Sequence, residues 1–214
     1  MIGLTTAFSR RYTIVRKMVT RFAMSTAVLE RPITAKELLA MPEDGKERYV
    51  IYGKLREKPM TVRNRFHSSV VMKLGYVLID WLTSQPIPCG KIVGGEAGIC
   101  LPTEPESIVG VDAANLSADV AADQDDITES TLIHGIPTLI AEVLSPSDTQ
   151  KETHEKIKLY LSVGVPLVWI LDPTDQTIRI YEPGKKPRLV NVNDQLIAEP
   201  QLPGFKVPVA VLFE

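Results

Sequence analysis

Cys89 and Cys100 are the only thiols in 214 residues, too few for a disulfide scaffold, and both have hydrophobic neighbours. Two small buried hydrophobes in a reducing, cytoplasmic setting is the expectation that follows. No stretch approaches the roughly 18 consecutive apolar residues that a membrane helix needs, so no membrane role is expected. GxGxxG, P-loop, HExxH, CxxC and GxSxG motifs are all missing, which sets aside dinucleotide binding, P-loop phosphate binding, zincin proteolysis and α/β-hydrolase chemistry. His67, His134 and His154 are too scattered for a zinc site argued from spacing. What remains is carboxylate chemistry.

Charge of one sign is also missing from two long stretches. Residues 1–29 hold Arg10, Arg11, Arg16, Lys17 and Arg21 and no acid, so against a chain total of −2 the rest carries −7. This Ser/Thr-rich leader superficially matches an organelle transit peptide, while Met18 and Met24 allow an upstream start codon. The reading adopted is a loose basic extension at 1–29 outside a single domain at 30–214. Residues 92–150 contain no Lys or Arg and eleven acids, including an Asp-rich loop at Asp123, Asp125 and Asp126. Conversely, residues 46–73 hold eight basic side chains against Glu47 and Glu57. With 44% hydrophobic residues, a chain of this length buries roughly 70% of its unfolded surface and needs no staples.

Local patterns give the elements. Thr34 to Glu37 has capping-box spacing and opens a short helix that ends before Pro42. The β-rich run Arg48–Leu55 passes through Gly53 into a second strand, predicting a hairpin. From Asn64 to Leu82 the residues Phe66, Val70, Leu74, Val77, Leu78 and Trp81 recur at helical spacing. Ala97–Leu101, Val109–Leu116 and Thr138–Leu144 are short apolar runs and read as strands. Ser145–Asp148 and Thr149–Glu152 both carry helix-start signatures, and the helix they open ends at Gly164. Leu167–Leu171 and Ile178–Tyr181 read as a hairpin turning at Asp172–Asp175, and the tail from Leu196 as short strands and Pro-Gly turns.

In the strand Thr138–Leu144, side chains alternate, which puts Glu142 with Ile140 and Leu144 near the strand's C-terminal end. A carboxylate there is costly unless paired or bound to a cation. Asp112 repeats the situation within Ile108–Ala114. If neighbouring strands bring the two within ~4 Å, their repulsion at an effective dielectric near 20 is about 4 kcal/mol, which a shared divalent cation reverses. Oxygen-only ligation by one or two carboxylates suits Mg²⁺, with Mn²⁺ as a substitute. Lys156, on the helix that follows, can reach back over the strand ends to stabilise a phosphoryl anion or position water. Glu57, after the hairpin, is a candidate further metal ligand, and His67 a candidate phosphate or water contact.

These residues resemble a known family. Glu142-Val-Leu-Ser-Pro-Ser-Asp148, then Lys156, Tyr160, Gly164 and Pro166 at fixed spacing, then Trp169-Ile-Leu-Asp172-Pro173, look like the restriction-endonuclease family abundant in cyanobacteria. That family was long catalogued as a domain of unknown function and is assigned to the PD-(D/E)XK nuclease superfamily. Gly53-x-Leu55-x-Glu57, His67, the Asp112 stretch and Leu202-Pro-Gly-Phe205 extend the likeness over about residues 33 to 213. It implies an α/β, restriction-endonuclease-like fold, a central mixed β-sheet flanked by helices with an N-terminal hairpin. It implies Asp112 and Glu142 as the paired acids and Lys156 as a lysine moved from strand to helix, with Val111 and Leu144 departing from the superfamily pattern. The function implied is Mg²⁺-dependent endonucleolytic hydrolysis of DNA, the alternative being an inactive nuclease-fold binding or regulatory module. Cutting both strands of a duplex calls for two sites, so a homodimer is expected.

Overall fold

The computed structural model describes residues 31–60, 64–86, 90–122 and 131–214. The leader at 1–29, Arg63, Cys89 and the acidic loop at Asp123, Asp125 and Asp126 lie outside the described residues. Capping side chains start the first two helices where the sequence puts them. The Thr34 hydroxyl accepts the Glu37 N–H at 3.3 Å while the Glu37 carboxylate takes the Thr34 N–H at 3.1 Å, opening α1 (Ala35–Leu39). β1 (Lys46–Ile51) and β2 (Lys54–Pro59) then pair antiparallel from Lys46↔Pro59 to Ile51↔Lys54. Their two-residue turn has Tyr52 and Gly53 at φ 49° and 70°, the left-handed pair that matches the twist of a tight hairpin.

Asn64 caps α2 (Arg65–Thr83) by accepting the His67 N–H at 2.8 Å. The helix buries Val70, Leu74, Val77, Leu78 and Trp81, each contributing about 1.5–3 kcal/mol when fully buried. β3 (Lys91–Leu101) and β4 (Ser107–Leu116) form a long antiparallel pair whose register shifts between Gly94 and Ala97. There Gly95 and Glu96 adopt φ 71° and 64°, a bulge that re-aims side chains. α3 (Ala118–Ala122) and β5 (Ile133–His134), a short parallel partner of β3, follow. β6 (Leu139–Val143), α4 (Gln150–Ser162) and β7 (Leu167–Asp172) make a parallel βαβ unit. β8 (Thr177–Tyr181) and β9 (Arg188–Asn191) return antiparallel. β10 (Gln195–Ile197) pairs with β11 (Lys206–Pro208) in a separate ribbon before α5 (Ala210–Phe213).

Two local expectations are corrected. Ser145–Asp148 is a turn, not a helix start, because the Asp148 carboxylate accepts the Ser145 N–H at 2.8 Å and its hydroxyl at 2.9 Å. Thr149 alone caps α4, with its own capping box. The tail ends in α5, a single turn in which Leu212 is fully buried, instead of continuing as strands.

The main sheet runs β2-β1-β4-β6-β7-β8-β9, with β3 on β4 and β5 on β3. This is the expected mixed sheet with an N-terminal hairpin and flanking helices. Leu139, Ala141, Val143 and Trp169 pack against α2 and α5, and Ile140, Val168 and Ile170 pack against α4. The alternation of β6 and β7 thus supplies both layers of core. Arg31–Glu214 clusters as one compact unit.

Strand β4 positions the site. β3 occupies one of its edges from Ser107 to Leu116. The other edge is shared, with β1 meeting it at Val50↔Ile108 and β6 from Ala113 to Asn115. Between these contacts, at residues 109–112, the sheet forks.

Candidate active site at the fork in the sheet

Opening the sheet leaves two obligatory hydrogen-bonding needs that side chains meet. The Gly110 carbonyl accepts from Lys156 Nζ at 3.2 Å, and Asp112 Oδ2 accepts the Val143 N–H at 2.8 Å. Asp112 is therefore fixed at the base of the fork, and it is 6% exposed. Asp112 and Glu142 follow directly on the last ladder pair, Ala113↔Ala141, and both side chains line the cleft that the fork opens. Lys156 sits on α4 directly after β6 and donates to Glu142 Oε1 at 2.9 Å. Tyr160, one turn on, donates its hydroxyl to the same oxygen, and among the described residues Glu142 Oε2 accepts no hydrogen bond. Asp112, Glu142 and Lys156 thus meet in one cleft.

His67 reaches the same cleft from the first turn of α2. Its Nε2 lies 3.4 Å from Asp112 Oδ1, and its buried Nδ1 has no hydrogen-bond partner among the described residues. Glu57 is a correction. Alternation along β2 turns it away from the cleft, to Arg48 at 2.9 Å and Lys46 at 3.4 Å. The hairpin residues that do line the cleft are Glu47, Tyr49 and Lys58. Lys58 bridges Glu47 at 3.2 Å and Asp148 at 2.9 Å. Glu96 also lines it. Its left-handed bulge carries the side chain across Gly110, where an added Cβ would stand 3.0 Å from Glu96 Oε2.

Sequence reasoning missed Glu47, Glu96, Asp148 and the role of Tyr160. Tyr160 had a usable signal, one helical turn beyond Lys156. Glu96 had none, since a bulge overrides alternation. Several basic side chains of the 46–73 zone are engaged within the chain. Arg56 pairs with Glu155, Lys58 with two acids, and Arg48 with Asp44 and Glu57, while Arg65 lies 4.7 Å over the Phe66 ring.

Electrostatics in the cleft are one-sided. Glu47, Glu96, Asp112, Glu142, Asp148 and Glu152 line it against Lys58 and Lys156. Burial pushes the Glu142 carboxyl above the usual range, with Lys156 opposing and the Asp112 charge adding to the rise. For Lys156, burial works against the ammonium, yet the adjacent Glu142 charge prevails and holds it above its ordinary value. The lysine is therefore a firm cation. Burial and the Glu142 charge raise Tyr160 well above its ordinary value, so it stays a neutral donor.

The donor set is hard oxygen, two carboxylates from adjacent strands in an acidic cleft, which fits a Mg²⁺-type ion that retains waters or takes substrate oxygens. Among the described residues no group of three or more His, Cys, Asp and Glu forms a metal cluster, so such an ion would lean on two side chains. No helix among them is long and apolar enough to cross a membrane.

The class these features define is a restriction-endonuclease-like α/β fold. Residues 35–210 match the model of the Uma2 family, described as "Putative restriction endonuclease", and the chain belongs to that family. A solved structure titled as "a putative nuclease belonging to DUF820" from Anabaena variabilis superposes with a TM-score of 0.70 at 21% identity, covering 85% of this chain and 98% of that one. No curated protein matches the chain.

Proposed function

We propose that the protein is a Mg²⁺-dependent endonuclease that hydrolyses DNA phosphodiester bonds at the fork of the sheet. The observation that carries this reading is the convergence of Asp112, Glu142 and Lys156, with Lys156 Nζ 2.9 Å from Glu142. Asp112 and Glu142 would hold the ion, with Mn²⁺ able to replace it. When bound, it supplies Lewis-acid chemistry at the phosphate and charge neutralisation. The protein's own groups do the rest. Val143 N–H and His67 orient Asp112, Tyr160 and Lys156 fix the rotamer of Glu142, and the Lys156 ammonium is placed to meet negative charge on the phosphoryl group. An acidic cleft repels a bare phosphodiester, so the reading requires the cation for substrate entry as well as for chemistry.

One observation favours the alternative, a nuclease-fold binding or regulatory module without catalysis. The basic side chains near the hairpin are largely spent on internal ion pairs. Plasmid and single-stranded DNA incubated with protein and Mg²⁺ or Mn²⁺, beside Asp112→Asn and Glu142→Gln, separates the two, with calorimetric metal titration as an independent readout. The endonuclease reading expects cleavage only with metal and loss of both cleavage and metal binding in either variant. Metal binding that survives both substitutions, or no cleavage together with no metal binding, would overturn it in favour of the module.

A further inference from the structure

Helix α2 is apolar on two sides. Its buried stripe faces the sheet, yet Met72, Tyr76 and Ile79 on the opposite side are 74, 68 and 51% exposed. These three are spaced four and three apart, and Ser69 and Thr83 continue the rhythm in both directions, which is the a/d repeat of a helix–helix seam. A helix with solvent on one side ordinarily shows charged or polar residues there.

The charges on this face select a partner. Lys73 and Asp80 each follow a d position by one residue, so they lie on the same flank of the seam, seven residues apart. In an antiparallel helix pair related by a two-fold axis, equivalent flanks face each other. With the axis near Tyr76, Lys73 of one copy stands opposite Asp80 of the other, twice. Gly75 lies on the other flank, with no atom within 4 Å of where a Cβ would sit, and allows close backbone approach. The face is complementary to itself in shape rhythm and in charge.

We propose that α2 is the interface of a homodimer, two copies packing antiparallel across a two-fold axis at Tyr76. The inference stands on exposure, heptad spacing and charge placement, and is independent of the nuclease reading. A single pair of 19-residue helices lies toward the small end of specific interfaces, so monomer and dimer exchange over accessible concentrations.

Sedimentation equilibrium of the full chain, from about 1 µM to about 1 mM, tests this. The expected result is a concentration-dependent dimer that Tyr76→Asp weakens by about tenfold or more. Lys73→Glu and Asp80→Lys each weaken association, and the two combined restore it, because the reversed charges again meet their opposites. All three positions lie on the solvent side, and unchanged circular dichroism establishes that the variants fold. A monomer at every concentration leaves the stripe to some other partner and overturns the proposal. So does a dimer indifferent to Tyr76→Asp, or a double variant no tighter than its single parents.

Discussion

On the α4 wall of the cleft Lys156 meets Glu142 at 2.9 Å with side chains 15% and 13% exposed, while on the outer face of the hairpin Arg48 meets Glu57 at the same distance with Glu57 38% exposed. Equal geometry does not mean equal consequence. In the outer pair the Glu57 carboxylate keeps much of its water, although Arg48 is only 11% exposed, and salt screens it. Both members of the inner pair are largely desolvated, and each depends on the other for compensation. The largest expected effect therefore falls on the inner wall. Lys156→Met leaves Glu142 buried beside Asp112 with only Tyr160 to serve it, and stability should fall by about 3 kcal/mol, read from the denaturant midpoint at unchanged slope. A loss under about 1 kcal/mol would place this pair with surface ion pairs and remove the contrast.

The cleft's hairpin rim lies between these extremes. Lys58, 17% exposed, holds Glu47 and Asp148 together, and Lys58→Met should cost about 1–2 kcal/mol at neutral pH. Its pH signature distinguishes it from the inner wall. Burial raises the Asp148 carboxyl, but the Lys58 and Ser145 hydrogen bonds outweigh burial and leave it below its ordinary value. Its contribution is thus full above the unfolded aspartate pKa of about 3.9 and is lost as pH falls through the lower folded value. Lys58→Met should flatten the acid limb of the stability curve. Glu142 is shifted upward instead, with Lys156 opposing the rise, so its penalty is relieved on protonation and the loss in Lys156→Met should shrink as pH falls. Equal acid limbs in Lys58→Met and wild type would show that the rim pair does not stabilise the fold.

Much of the inner wall was legible because its determinants are local. Strand alternation and an apolar setting single out Asp112 and Glu142, and Lys156 follows on the next helix, so short-range rules fix all three. The hairpin was legible as an element, but not its orientation. Alternation separates Glu47, Tyr49 and Lys58 from Lys46, Arg48 and Glu57, yet which set faces the cleft depends on where β1 leaves β4, a contact of a single residue pair far along the chain. The same distance hid the fate of the basic zone. Arg56 finds Glu155 and Lys58 finds Asp148, partners 99 and 90 residues away, so a charge count along the chain overstates what is left for phosphates. From Ser145 two consecutive capping signals competed, and the Asp148 side chain made the first a turn.

The smallest expected effect is also the sharpest check on the corrected orientation of the hairpin. Glu57→Gln removes the partner of Arg48 and Lys46 on the outer face, but Arg48 retains Asp44 at 2.6 Å and the Pro42 carbonyl at 2.7 Å. The guanidinium is therefore not stranded, and the melting temperature should be indistinguishable from that of wild type. Calorimetric metal affinity should be unchanged too, because the carboxylate lies on the face of β2 turned from Asp112 and Glu142. Glu47→Gln, one strand over and on the cleft side, leaves Lys58 with Asp148 alone, and because Lys58 and Glu47 are 17% and 21% exposed it should lower the melting temperature measurably. If the effects came out reversed, with Glu57→Gln weakening metal binding and Glu47→Gln silent, the hairpin would present its other face to the cleft.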